Sequence, residues 1–527
     1  MKTKYFLLLL CVMTLLPLSA QETYQMANLE TQDLNGSARF VGMGGAMGAL
    51  GGDISVMGTN PAGVGIFRKS EVAGSFGFVS QQDAASFNGA NKTNMSFDQI
   101  GFVWANKTNN RGSRLNFGFN FHKSRNFDNI LSAAGSLNGN SSQNKLTATK
   151  FNTGIISSYD KSANNGAGGF STDEYTCNQL DQLYVSNLLE SNATSGVNWY
   201  DADSYTFGRS NKGYIGSYDF NISGSIRDRV FIGLTLGLSD VHYRNYSVYS
   251  ESMNGGSQAG ALSTVDVTNR EKITGTGFDA KFGVIFRPIA ESPFRIGLSV
   301  TTPTFYDLSS HSTVALYANG TAYGAKDVDY DFKFYTPWKF GLSLGETIGN
   351  YIAIGAEYEY ADYGSTDARI DDGDEYDSWN DTYYSNTHSD EDMNQNVDYS
   401  LKGVSTVKLG FEFKPDPAVA LRIGYNYISP IYSSDGYRDP AVYSLGNYSS
   451  TTSDYVNWKC TNRITAGFGY RFDNAYIDLA YQYTTTDGDF YPFTYSSGNT
   501  SMEDNMAGVD KVSNKRHQLI CTLGFKF

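Results

Sequence analysis

A two-residue rhythm of side chains runs through most of this sequence and narrows the folds open to it. Val230, Ile232, Leu234, Leu236 and Leu238 fall on one face of an extended chain, against Gly233, Thr235, Gly237 and Ser239 on the other. Phe294, Ile296, Leu298 and Val300 alternate with Arg295, Gly297, Ser299 and Thr301, and Leu115, Phe117, Phe119 and Phe121 with Asn116, Gly118, Asn120 and His122. Successive side chains of a strand point to opposite faces, so each segment has one apolar and one wet side. Beyond residue 20 no window offers the run of about 18 apolar residues that a membrane-crossing helix requires. A soluble β-sandwich would show the same alternation. The segments here are long, their second face is rich in Gly, Ser, Thr and charge, and aromatics gather near their ends. Those marks favour a transmembrane barrel with an apolar outer band and aromatic girdles. The composition agrees, with 14% aromatic and only 18% charged residues among 527, and 55 glycines. A hydrated lumen would accommodate Arg295 and Asp478 in mid-strand.

The expected fold is therefore all-β, a 14-stranded antiparallel transmembrane β-barrel. Its strands are read at 72–82, 95–106, 112–126, 214–227, 230–249, 270–287, 293–307, 328–344, 350–364, 402–414, 418–430, 460–472, 475–487 and 516–527. Short joins at Arg227-Asp228-Arg229, Asp473-Asn474 and Lys414-Pro415-Asp416-Pro417 alternate with long external loops near 127–213, 365–401, 431–459 and 488–515. Short turns at one end and long loops at the other are what an outer-membrane barrel predicts. The last strand places His517, Leu519, Cys521, Leu523, Phe525 and Phe527 on one face. A closing aromatic strand of this kind resembles the signal read by outer-membrane barrel assembly machinery, a partner reached through Phe527.

Residues 1–20 read as a cleaved signal peptide, with Lys2 and Lys4 ahead of the apolar run Phe6–Leu16 and Leu18-Ser19-Ala20 at the cleavage site. Cys11 sits too deep in that run to be a lipidation site. The three remaining cysteines allow at most one disulfide, Cys177 with Cys460 or none, so this is not a disulfide-built scaffold. The net charge of −14 excludes nucleic acid as a partner. Residues 174–191 carry a helical stripe from Leu180 to Leu189, expected to pack against other loops without touching ligand. The acidic loop holds Asp371, Asp372, Asp374, Glu375 and Asp377, then Asp390, Glu391 and Asp392. Calcium favours such oxygens, but the spacing is not an EF-hand and a solvated acidic surface is the simpler reading. No metal and no cofactor are expected. His122, His242, His311, His388 and His517 stand in no hydrolase constellation, and no enzyme is expected.

Residues 21–71 do not alternate and precede the barrel proper, 72–527. Gly42, Gly44 and Gly48 look like a nucleotide-binding loop, yet no βαβ unit follows. Glycines serving tight turns and close backbone contact suit a compact segment folded inside a barrel. Asn60-Pro61-Ala62-Gly63 reads as a turn ahead of the first strand.

A signal peptide, a Gly-rich N-terminal segment ending in Asn60-Pro61-Ala62-Gly63, and fourteen strands ending in Phe527 resemble the FadL/TodX outer-membrane transporters of long-chain fatty acids and hydrocarbons. That resemblance implies that 21–71 is a hatch plugging the lumen and that the third strand, 112–126, carries a kink opening a lateral path into the membrane. Gly118 is a candidate for that irregularity, or equally an inward glycine making room for the hatch. No histidine pair is placed to ligate haem iron. The function implied is passive uptake of a hydrophobic small molecule by a monomer in the outer membrane of a Gram-negative bacterium, among its lipid and lipopolysaccharide. The alternative is a non-transporting surface or adhesion barrel that acts through its long loops.

Overall fold

The structure, a computed structural model, describes residues 22–527 except 109–112, 157–158, 161–168, 171–174, 190, 193–195, 254–261, 378, 380–381 and 496–504. The expected signal peptide, with Cys11, lies outside the described residues. Fourteen strands form a closed antiparallel wall. They are β1 (Glu71–Gln81), β2 (Thr93–Lys107), β3 (Arg114–Asn126), β4 (Ala202–Ile226), β5 (Val230–Ser252), β6 (Thr264–Phe286) and β7 (Arg295–Thr301). They continue as β8 (Lys339–Ile348), β9 (Ile352–Asp362), β10 (Gly403–Asp416), β11 (Val419–Ile428), β12 (Tyr455–Phe472), β13 (Ala475–Tyr491) and β14 (Asp510–Lys526). Closure comes from β14 pairing with β1, from Glu71 opposite Lys526 to Gln81 opposite Arg516. A closed sheet leaves no unpaired edge, which is the condition for crossing lipid with strands.

The outer face is apolar where it should be. Ile232, Leu234, Leu236 and Leu238 of β5 are exposed, while Gly233, Thr235, Gly237 and Ser239 are buried inside. Beyond Ser239 the same strand reverses its polarity. His242 and Arg244 now face outward, and Val241, Tyr243 and Tyr249 are buried inward. The lower half is thus dressed for lipid outside, and the upper half is a dome with an apolar core inside and water outside. The apolar residues change sides at this crossover, so spans that follow one apolar face fall short on β4, β13 and β14, whereas β5, expected at 230–249, is followed past it nearly to its end at Ser252. Consequently β4 starts at Ala202, β13 reaches Tyr491, and β14 begins at Asp510, inside regions read as loops.

Two expected strands are each broken in two. The span 293–307 stops at Thr301 and resumes as an accessory strand Phe305–Ala318; 328–344 divides into Thr321–Tyr335 and β8. Pro303 and Pro337 sit in the two breaks, side by side, and a proline has no N–H for the ladder. The two accessory strands pair with each other above the membrane, and the first stays on β6. The 365–401 region, read as a loop, forms strands Asp367–Asp377 and Thr382–Ser389 and a helix. Within 127–213 a strand Asn129–Ser141 pairs with β4.

Among the described residues six short α-helices complete the fold: α1 (Thr23–Glu30), α2 (Ala38–Gly42), α3 (Gln143–Asn152), α4 (Gln179–Asn187), α5 (Glu391–Ser400) and α6 (Leu445–Tyr448). The stripe read at 174–191 is α4, held by a reciprocal capping box between Asn178 and Asp181. It packs with α3 in an apolar cluster across the dome, including Leu146, Leu180, Tyr184 and Leu316. Lys150 and Asp181 pair there at 2.6 Å, both buried. No described helix is long and apolar enough to cross a membrane.

Candidate functional site

The N-terminal segment is a chain of caps and turns. Glu22 accepts hydrogen bonds from the Tyr24 and Gln25 amides at the start of α1. Ser37 caps α2 and donates to Asp53, which itself caps the 3-10 turn Ile54–Gly58. The Asn60 side chain accepts from the Ala62 amide at 3.2 Å, and Pro61 opens the 3-10 turn Pro61–Ile66. Proline suits a first helical position because that N–H has no partner anyway. The motif singled out in the sequence is therefore a capped helical start rather than a simple turn.

What this segment rests on explains the glycine-rich inner faces. Gly345, Gly355, Gly410 and Gly424 pair in one row across β8, β9, β10 and β11. Residues 43–50 lie on that row backbone to backbone: a Cβ at Gly355 would stand 1.9 Å from the Ala46 carbonyl oxygen, and one at Gly410 2.4 Å from that of Met43. On the opposite side Asn60–Ala62 rest against Gly233 and Gly283, and the Pro61 carbonyl accepts from Ser223 Oγ at 2.8 Å. Gly118 pairs regularly with Val103 and Asn221 and faces Met57, whose Cε a Cβ would meet at 2.2 Å. It makes room for the segment; no irregularity lies there. Polar ties complete the seat. Arg39 pairs with Glu412 at 3.1 Å, and Arg422 bridges Glu412 and Asp478 at 2.7 and 2.6 Å. Asp478 and Arg295, expected to face a hydrated lumen, instead meet protein, since Arg295 donates to the Leu50 carbonyl at 2.7 Å.

Above the segment is a cavity of about 370 Å³. Its floor is α1 and residues 31–35, and 449–452 belong to its ceiling. Tyr24 stacks on Tyr432 at 5.0 Å and lies 4.8 Å from Tyr455, and Phe127 meets Tyr243 edge-on. Into this aromatic space come three guanidiniums around one carboxylate. Asp33 stands 3.5 Å from Arg125, 3.5 Å from Arg463 and 3.9 Å from Arg516. Burial pushes the Asp33 carboxyl upward, but the three arginines and the Asn126 amide outweigh it and hold it below the usual range. Two formal positive charges remain without a carboxylate in this group. Glu30, at the end of α1, is the opposite case: burial raises it to about 8, against a hydrogen bond from Thr366 and the charge of Lys339.

The wall beside this cavity is incomplete. β2 pairs with β3 only from Lys107–Arg114 up to Gln99–His122. Above that, β2 stays on β1 and β3 stays on β4, and both carry an extra residue: Asp98 in β2 and Ser124 in β3. Asp98 turns inward at its bulge, returning Phe97 and Met95 to the lipid face. The N-terminal segment fills the gap. The Asp33 amide donates to the Ser124 carbonyl at 2.8 Å, and Asn35 donates to Asp98 at 3.1 Å and to the Lys123 carbonyl at 3.2 Å.

Elsewhere the expected residues are placed as follows. Phe527 exchanges backbone hydrogen bonds with Ser70 at the closing seam and is exposed outward. Cys177, which is buried, and Cys460 form no disulfide with each other. Of the acidic run, Asp371 pairs with Lys333 at 2.8 Å and Asp390 caps α5, while the side chains of Asp372, Asp374, Glu375 and Asp377 lie outside the described ones. No group of His, Cys, Asp and Glu among the described residues is arranged to hold a metal. The arginine cluster escaped the sequence reading because its members come from β3, β12 and β14. The Asp98 bulge did leave a trace: outward residues are odd at Met95 and Phe97 and even at Ile100, Phe102 and Trp104.

Among solved structures the fold is similar to that of a FadL homologue from Pseudomonas aeruginosa, at 13% identity and a TM-score of 0.51, covering 94% of this chain and 99% of that one. The toluene transporters TbuX of Ralstonia pickettii and TodX of Pseudomonas putida align over the same shares at 12% identity, each with a TM-score of 0.46. No family model and no curated protein matches the sequence. The FadL-type barrel expected from the sequence is the fold found.

Proposed function

We propose that this outer-membrane barrel is a channel for passive uptake of hydrophobic small molecules, and that its cargo is an amphiphile with an anionic head, a long-chain fatty acid rather than a bare hydrocarbon. The observation that carries this is the cavity over α1, where an aromatic wall meets three arginines sharing one carboxylate. A carboxylate head would complete the charge of the cluster, and charge-assisted bonds to guanidinium are the strong ones. The apolar tail would gain about 25 cal/mol for each Å² removed from water. A cavity of about 370 Å³ is within the ordinary range for small-molecule sites.

In this reading residues 21–71 act as a hatch. Cargo held near Asp33 competes with it for the arginines, Asp33–Asn35 withdraw from the wall, and the gap between β2 and β3 opens toward the lipid. The exit is sideways because the lumen below is filled by residues 43–66. The barrel acts as a monomer among lipopolysaccharide in a Gram-negative outer membrane, and Phe527 serves its assembly.

The test is uptake of radiolabelled oleate and of toluene by cells carrying the intact protein or an Asn60→Ala, Pro61→Ala variant at matched surface levels. Oleate uptake above the empty-vector background, altered in the variant, supports a hatch-controlled channel. No increase for either compound refutes it.

A further inference from the structure

Above the lipid band the seam between β2 and β3 is spanned by the strand Asn129–Ser141 on β4, tied to β1 where the Gln81 side chain exchanges two hydrogen bonds of 2.8 Å with the Ile130 backbone, and the β1–β2 connection covers it from outside. Residues 82–92 form a small stiff hairpin: Phe87 and Ala90 exchange backbone hydrogen bonds around Asn88-Gly89, both in the left-handed region at φ 47° and 69°. This hairpin reaches across the gap and lies on the outside of the dome. The Phe87 ring occupies the space over Gly208 of β4, where a Cβ would stand 2.7 Å from it, and lies 6.0 Å from the ring of Tyr246. Lys212 donates to the Gly89 carbonyl at 3.0 Å. At its base the Gln82 amide donates to the Lys515 carbonyl at 2.8 Å, so it is the tip of the hairpin that rests on the Phe87 ring and the Lys212–Gly89 hydrogen bond.

Beneath it is a second cavity of about 220 Å³, and Asn129, Asn211 and Arg516 line both this cavity and the inner one. Its outer rim is polar, with Asn91, Lys92 and Asn94 next to the lipid-facing Met95 and Phe97. That places it at the level of the outer-leaflet head groups. The axial route is more obstructed. The Gln179 amide of α4 donates to the Ser450 carbonyl in the cavity ceiling, and above it stands the buried α3–α4 cluster. Opening the top would expose that core to water, whereas lifting the tip of the hairpin uncovers the Phe87 ring and the small Ala90 side chain and breaks the Lys212–Gly89 hydrogen bond.

We propose that residues 82–92 are a flap over a side mouth, through which amphiphiles with an anionic head pass from the outer leaflet to the inner cavity, with Arg516 as the cation met on the way. This rests on the channel reading given above. It differs from the exit between β2 and β3, which lies lower on the same seam and is closed by Asn35.

The experiment tethers the flap. Gly89→Cys and Lys212→Cys are introduced together with Cys460→Ser and Cys521→Ser, joined by a short bis-methanethiosulfonate spacer, and reconstituted in phospholipid vesicles. Radiolabelled oleate uptake is followed before linking, after linking and after reduction, with gel migration confirming an intact barrel. Uptake is expected to fall by roughly tenfold on linking and to return on reduction, as for any lid that gates access. An unchanged rate in fully linked protein overturns the side mouth while leaving the channel standing. Unlinked protein no faster than protein-free vesicles overturns both.

Discussion

Replacing Gly355 by alanine tests whether the N-terminal segment is held by backbone contact with the glycine row. The new methyl carbon would stand 1.9 Å from the Ala46 carbonyl oxygen, where ordinary contact begins near 3.4 Å. Relief requires the segment backbone to retreat by roughly 1.5 Å, because neither side is a flexible side chain. Residues 43–50 cannot slide along the row, since Gly410 and Gly424 impose the same limit. Overpacking of this kind costs about 1–3 kcal/mol. The barrel itself feels the opposite sign: a Gly→Ala change at a compatible backbone position stabilises by about 0.4–1 kcal/mol through the unfolded chain. The variant should therefore keep a heat-resistant barrel on a gel while its N-terminal segment becomes accessible to protease and planar-bilayer conductance rises. Gly74→Ala is the control, an outward position whose nearest neighbour would be 3.9 Å away. If Gly355→Ala protects its segment as well as wild type and stays closed, the segment is not seated on the row and the reasoning fails.

Glu412→Gln should loosen the segment more than Arg39→Ala, because it deprives both Arg39 and Arg422 of a partner, while Arg39→Ala leaves Glu412 with Arg422 and Lys414; breaking a buried pair from the shared side costs about 3–5 kcal/mol, read from urea-induced protease sensitivity. Gly118→Leu should weaken docking and Met57→Ala should restore it, a coupling that a double-mutant cycle measures directly. Glu30 has a folded value raised from 4.5 to about 8. Its contribution is fully present below the unfolded value and is lost as pH rises through about 8, by at most about 5 kcal/mol. Protease sensitivity of the segment should therefore rise between about pH 5 and pH 8 in wild type, level off above that, and stay level throughout in Glu30→Gln, whereas a wild type with no such rise would place Glu30 in contact with water. Asp33 runs the other way, stabilising above the unfolded carboxylate value and failing only as the medium becomes strongly acidic, which the same assay at low pH reads.

The barrel was legible because lipid and lumen impose a period of two, and Val230–Ser239 reports it without interference. Its upper limits were legible only in part. In β4 the reading begins at 214 although the strand starts at Ala202, because Tyr205 and Phe207 lie on the opposite face from Phe220 and Ile222; in β5, expected at 230–249, it runs nearly to the end at Ser252. The proline breaks at 303 and 337 were visible as residues, yet nothing local says that a strand resumes beyond them. Asn60-Pro61-Ala62-Gly63 reads as a turn, although its cap residue and the proline after it are local signals of the helical start that the structure has there. The arginine cluster around Asp33 is a long-range arrangement, set by the closure of β14 on β1 and by where residues 31–35 cross the wall.

The glycine row also dictates an order of events. The segment precedes β1 in the chain, and the pairing that seals the cylinder is made by the last strand. Backbone-to-backbone seating leaves no clearance for threading residues 43–66 into a finished cylinder, so they must already be in place when β14 meets β1. The final zipper therefore closes around a preassembled core, and a segment that collapses late would leave the cylinder open rather than empty.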